Sequence, residues 1–167
     1  AGNKGLSLFF VKLRDDEGKL QGITVRRLKD KLGTKALPTA ELDFEGATAT
    51  LVGEVGQGVK NISHLFNVTR IYNACTTVGS FKRLLDLALD YSEKRVAFGK
   101  KIADHPLHAR MLSEAKEDFN MCFQLTFITI TFLQLEENFA KQGQRDEATS
   151  AILRLLTPIT KLYTAKK

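Results

Sequence analysis

From Val59 to about Lys94 the apolar residues recur at helical spacing: Ile62, Leu65, Phe66, Thr69, Tyr72, Ala74, Cys75, Val78, Phe81, Leu84, Leu85, Ala88 and Tyr91. At 1.5 Å per residue the pattern predicts a helix about 50 Å long. That exceeds the usual globular helix and fits the spine of a helical bundle.

Two more helical patterns follow. Asp104 is placed to cap the second, with Pro106 in its first turn, and it runs through Met111 and Leu112 to about Gln142. Within it, residues 119–135 (FNMCFQLTFITITFLQL) are almost uncharged. A membrane span needs about 20 apolar residues, whereas this stretch contains Asn120, Gln124, Gln134 and three threonines. A strand is locally plausible, because Thr and Ile are β-branched, but the flanks are helical. A central bundle helix, apolar nearly all round, fits best. Residues 141–146 read as a loop, and Asp146 to about Lys166 as a third helix, broken or bent near Thr157-Pro158.

The first third reads as β structure. Residues 6–13 (LSLFFVKL) are apolar enough for a strand buried on both faces. Residues 15–19 form a charged turn, and residues 23–28 alternate as a half-exposed strand. Ala40 to Phe44 and Ala47 to Val52 are two further strands, with Glu45-Gly46 as a tight turn between them. Four or so short strands with free edges make an incomplete sheet, part of a sandwich or barrel. Gly53-Glu54-Val55-Gly56-Gln57-Gly58 then breaks the pattern. Its G-x-x-G-x-G order lacks the βαβ context of a nucleotide loop, so a flexible hinge is expected, with a domain boundary between residues 56 and 57.

Bulk properties narrow the class only mildly. The 167 residues are 43% hydrophobic and 26% charged, ordinary for a globular protein that buries a core. The net charge of +6 and pI near 9.4 are compatible with nucleic acid or phosphate-rich partners. The cations are spread along the chain among carboxylates, so a solvated basic surface is the favoured reading and a nucleic-acid partner is not. Cys75 and Cys122 lie on apolar helical faces without metal spacing, and read as free buried thiols in a reducing compartment. The glycosylation patterns at Asn61 and Asn67 fall inside the first helix and read as chance. The opening Ala1-Gly2-Asn3 has the look of an internal start, which leaves any targeting segment out of view.

Lys94-Arg95-Val96-Ala97-Phe98-Gly99-Lys100 is a basic and aromatic corner where the first helix ends. A guanidinium in a last helical turn is favoured by the macrodipole and binds phosphate bidentately. On spacing alone, Phe98 shares a face with Arg95 and Gly99 stops the helix. An ordinary helix C-cap with a packed Phe explains the same residues. Arg70, among apolar neighbours, reads on its own as half of an interhelical salt bridge. His105 and His108 are three apart near a helix start, but no third ligand follows, so no metal site is expected.

Tyr72 to Leu107, with Arg83-Leu84-Leu85-Asp86-Leu87-Ala88, Tyr91, Lys94 to Lys100 and Asp104-His105-Pro106-Leu107, resembles the first two helices of the acyl-CoA dehydrogenase C-terminal domain. Asp30 to Phe44 resembles the closing strands of that family's middle β-domain. The Lys-Leu-Gly-Thr-Lys-Ala-Leu-Pro-Thr-Ala-Glu run at 31–41, with Thr69-Arg70-Ile71-Tyr72-Asn73-Ala74, is most similar to its AidB-like branch. The resemblance implies an α+β chain: residues 1–56 as the end of an antiparallel middle β-domain, then residues 57–167 as an α-helical up-down bundle, incomplete at its end.

It also implies a function. An FAD-dependent oxidoreductase of this kind removes the α-proton of an acyl-CoA thioester with a base and passes the β-hydride to flavin N5, giving a trans-2-enoyl-CoA. Arg95, Phe98, Gly99 and His105 then belong to the cofactor side, across a dimer interface, and Phe66, Thr69 and Arg70 to the acyl-CoA side. One subgroup carries its base, a Glu, just before the equivalent Arg, where this chain has Thr69. Another departure is Pro106, where a Gln commonly reaches the cofactor's adenosine. In most members the base lies in a fourth helix, so no catalytic residue is assigned here. Implied partners are the acyl-CoA, further copies in a dimer or tetramer through the helical domain, and an electron acceptor. A DNA-associated flavoprotein of alkylation response and a non-catalytic acyl-CoA binder or sensor remain alternatives. Mitochondrial, peroxisomal and cytoplasmic settings stay open.

Overall fold

The computed structural model describes residues 5–167; the internal-start reading of Ala1-Gly2-Asn3 lies outside them. The chain is α+β: short antiparallel strands, then three helices. Its contacts group into two compact units, one ending at His64 and one beginning at Leu65, a division inside the first helix.

In the N-terminal unit β1 (Leu8–Val11) pairs with β4 (Ala49–Val52), and β2 (Ile23–Leu28) with β3 (Ala40–Phe44), all antiparallel. Glu45-Gly46 therefore turns the chain from one pair into the other, and does not close a hairpin between β3 and β4. Gly46 takes φ 72°, where glycine is free of the Cβ penalty. Along β2–β3, Arg27 grips Glu41 through two bonds of 2.9 Å and Arg26 meets Asp43 at 3.0 Å. Exposed pairs of this kind contribute at most about 1 kcal/mol each.

One expectation fails in this unit. The apolar β1 is not buried on both faces: Phe9 and Phe10 remain 54% and 65% exposed, because β1 has one strand partner and no layer over it among the described residues. The glycine-rich 53–58 segment is bonded to the chain just before β1. Gly58 N–H donates to the Leu6 carbonyl at 2.7 Å and Gly56 N–H to Ser7 Oγ at 2.9 Å. A Cβ on Gly58 would meet the Ser7 carbonyl carbon at 2.7 Å, so the glycine is there for close backbone approach.

The helices are α1 (Gly58–Lys94), α2 (Pro106–Lys141) and α3 (Glu147–Thr164). Asp146 caps α3, accepting from Thr149 N–H at 2.9 Å. The Thr149 hydroxyl, and then its amide, hold the Asp146 carboxyl below its ordinary range. Pro158 does not break α3, which runs on to Thr164. Both glycosylation patterns lie within α1. No helix among the described residues is long and apolar enough to cross a membrane.

The packing of α2 against α3 departs most from the sequence pattern. Cys122, Thr126 and Thr129 are the buried residues of α2, and Thr149, Leu153, Thr157, Thr160 and Thr164 those of α3. Both sets step by three or four residues, so each makes one stripe, and the stripe is mostly threonine. The Thr149 hydroxyl donates to the Asp146 carboxylate, and four others bond the carbonyl one turn back: Thr126 to Cys122, Thr129 to Leu125, Thr157 to Leu153 and Thr164 to Thr160, at 2.6–2.8 Å. Bonds of this type satisfy a hydroxyl at little cost in a helix and let it be buried. Thr129 and Thr160 also join across the seam at 2.7 Å. Thr129 has one proton, given to Leu125, so Thr160 is the donor in that bond.

Consequently α2 is not apolar all round in its packing. Three of its phenylalanines form a ladder, Phe119, Phe123 and Phe127, with ring centroids 6.0 and 4.5 Å apart. Phe81 of α1 meets Phe119 edge-on at 5.8 Å, while Phe123 and Phe127 stay 43% and 50% exposed. Ile71, Ala74, Val78 and Leu85 are the buried apolar residues of α1. Both cysteines are free; Cys122 is buried and its thiol is pushed up by that burial and then by Asp118, but Cys75 is only half-buried.

Candidate functional site

The corner after α1 is a hairpin and not a helical stop. Arg95 N–H still donates to Tyr91 O at 2.9 Å, but α1 ends at Lys94. The next residues form β5 (Val96–Ala97) and β6 (Lys100–Lys101), antiparallel, closed at the base by Ile102 N–H to Arg95 O at 2.9 Å. Arg95 therefore lies just beyond the helix, Phe98 does not share a helical face with it, and Gly99 is no helix cap.

Phe98 and Gly99 are the two turn residues, at φ 52° and 79°. A two-residue hairpin of this hand requires positive φ at both positions. Glycine adopts it freely, whereas a side chain at the first position costs about 1–2 kcal/mol. Burial offsets almost none of that, since Phe98 is 96% exposed. Strain and an exposed aromatic ring thus coincide on one residue.

A single turn of 3-10 helix, Ile102–Asp104, leads on to α2. The residue before the helix is His105, extended at φ −85° and ψ 119°, with Pro106 first inside it, so Asp104 is not the cap. Nε2 of His105 lies 3.1 Å from Ala97 O, and its ring meets Phe98 edge-on at 6.1 Å. His108 is half-buried, and its Nε2 has no partner among the described residues. Those residues contain no cluster of three metal-ligating side chains.

The corner's cations divide unequally. Lys94 pairs with Asp90 at 2.7 Å, Lys101 with Glu93 at 3.3 Å, and Lys100 donates to the Asp104 carbonyl at 2.9 Å. Arg95 is exposed and makes none of the ion pairs or side-chain hydrogen bonds found among the described residues. An uncommitted guanidinium at the base of a short hairpin and an exposed aromatic ring at its tip suit a ligand with a phosphate or pyrophosphate and a flat ring. A dinucleotide such as FAD has both, so the residues present fit it.

Phe66, Thr69 and Arg70 lie on one face of α1, where Thr69 Oγ1 donates to Phe66 O at 3.1 Å. Phe66 and Thr69 are exposed and Arg70 is half-buried. The salt bridge expected of Arg70 is not among the described ion pairs. Arg70 and Arg95 are roughly 38 Å apart along the helix, at 1.5 Å per residue. The two sets are not brought together within one chain.

The hairpin was missed because Arg-x-x-Phe-Gly also reads as a helix end. The readable sign was the length of Val96 to Lys101: a turn pair ending in Gly, flanked by two residues on each side.

Residues 56–166 match the family described as "Acyl-CoA dehydrogenase, C-terminal domain". Acyl-CoA dehydrogenase family member 11 of Caenorhabditis elegans is 45% identical over 166 residues, 99% of this chain and 26% of the relative. Putative acyl-CoA dehydrogenase AidB of Escherichia coli K12 is 31% identical over 163 residues, 98% of this chain and 29% of the relative. The crystal structure of Caenorhabditis elegans ACDH-11 in complex with C11-CoA superposes with a TM-score of 0.88 at 44% identity, covering 99% of this chain and 27% of that one. The chain thus spans between a quarter and a third of the length of these relatives.

Proposed function

The chain belongs to the acyl-CoA dehydrogenase family, and on that premise we propose that it is part of an FAD-dependent flavoprotein converting an acyl-CoA thioester to a trans-2-enoyl-CoA. Members of the family bind FAD; when bound, it supplies the acceptor for the substrate's β-hydride. The observation that carries the reading is the corner: Arg95 has no partner among the described residues while its neighbouring lysines are engaged, and strained Phe98 is held in solvent.

In this reading Arg95 binds the cofactor's pyrophosphate through its guanidinium, and Phe98 lies against the adenine. Gly99 keeps the turn open enough for that approach. Phe66, Thr69 and Arg70 line the acyl-CoA side, with Phe66 against the ligand's apolar part and the Arg70 cation favouring the polarised thioester region. The span of roughly 38 Å between the two sets supports a corner that serves the cofactor of a second copy. The relative solved with C11-CoA supports an acyl-CoA ligand. None of the residues named here is assigned as the base.

The test is the visible spectrum of the full-length protein, recorded anaerobically while acyl-CoA thioesters of graded length are added. Bleaching of an oxidised flavin by one length class is the expected result. Flavin that stays oxidised would replace the dehydrogenase with an acyl-CoA binder or sensor. A protein purified and reconstituted without any flavin uptake would refute the cofactor role of the corner.

A further inference from the structure

His105 occupies the corner, but its ring is turned toward the protein. Nε2 lies 3.1 Å from Ala97 O, and the ring stands at 85° to Phe98 with centroids 6.1 Å apart. A carbonyl only accepts, so Nε2 carries a proton and donates. These two contacts reach the last residue of β5 and the first residue of the turn, where the backbone is strained.

Besides these, the tip has the Ala97–Lys100 strand pair and the Lys100 ammonium on the Asp104 carbonyl at 2.9 Å. Each strand is two residues long, and an isolated hairpin is marginal in water even when longer. Its base is closed by the Ile102–Arg95 bond, at the end remote from the turn. Left-handed non-glycine residues persist only where their surroundings over-determine them, and the Phe98 side chain is too exposed to be fixed by burial. His105 N–H is itself tied to Ile102 O at 3.1 Å, so the ring is mounted on a fixed backbone at the start of α2.

We propose that His105 is a positioning residue: it holds Phe98 in place for the ligand of the Arg95–Phe98 corner, acting through Ala97 O and the Phe98 ring without touching that ligand. The ligand link rests on the FAD reading above; the holding contact does not.

The experiment uses the full-length protein and two measurements, amide hydrogen exchange across residues 96–101 and the dissociation constant for FAD. His105→Ala removes both contacts. His105→Asn removes the ring and its reach while keeping a favourable helix-capping residue, so a general loss of α2 is separated from a loss at the hairpin. His105→Gln restores a donor. Expected are hairpin amides exchanging about five- to tenfold faster in the Ala and Asn variants, the size of one lost hydrogen bond, with FAD binding weakened to match and both effects largely reversed in Gln. Unchanged exchange in the Ala and Asn variants would overturn the proposal whatever happens to FAD. Faster exchange with unchanged FAD binding would overturn the ligand link while leaving the holding contact in place; the cofactor reading itself falls only if Arg95→Ala also leaves FAD binding unchanged.

Discussion

The α2–α3 seam and the corner after α1 are both rich in polar side chains, and they treat them in opposite ways. In the seam Thr126, Thr129, Thr157, Thr160 and Thr164 are buried, and each hydroxyl has a partner within the protein. At the corner Arg95 has no partner among the described residues, and Phe98 remains in solvent in a conformation that costs energy. Polar groups whose bonds are all made inside the fold hold it together. Groups left uncommitted, on a backbone kept strained, are where an outside ligand finds something to bind.

The comparison breaks if seam variants alter ligand binding or corner variants alter stability. The largest effect is expected from Leu153→Ala. Leu153 is fully buried in the seam, and its truncation should cost about 2–5 kcal/mol. Denaturant unfolding of the full-length protein would show the loss, and the FAD dissociation constant of the folded fraction should not move.

Arg95→Ala should do the reverse. Losing a charge-assisted contact of about 1.5–3 kcal/mol weakens FAD roughly ten- to a hundredfold, with the unfolding midpoint of the flavin-free protein unchanged. Retention of flavin at the wild-type level would place the corner with the seam as structure only.

A finer distinction lies within the seam. Thr129→Val leaves the Thr160 hydroxyl buried without an acceptor across the interface, a loss of about 1–3 kcal/mol. Adding Thr160→Val should recover part of it, because replacing both partners by apolar groups of similar shape is close to neutral. Two additive losses in denaturant unfolding would mean the cross-seam bond at 2.7 Å carries no coupling.

Much of the architecture was legible beforehand. The 3.6-residue period marked α1 to within one residue at each end, alternation marked β2 at its observed limits, and the strand expected at 40–44 is β3. The runs at 31–41 and 69–107 pointed to the family. Less legible was how the elements use their side chains. The uncharged 119–135 stretch was read as apolar all round because Phe, Ile and Leu dominate it, yet the neighbour α3 packs on its Cys and Thr stripe. At the candidate site the backbone of the corner was not legible, since a Gly after an aromatic ends a helix as readily as it turns a hairpin.

By itself, then, the sequence determined which segments are helices and strands, and which family they belong to, because periodicity and local motifs are properties of neighbouring residues. Tertiary structure decided which stripe of α2 is buried, since small side chains whose hydroxyls close onto their own helix let two helices come together where phenylalanines would hold them apart. It also decided that Phe98 stands in solvent at φ 52°, because that conformation depends on bonds from Ile102 and His105, residues outside the turn itself.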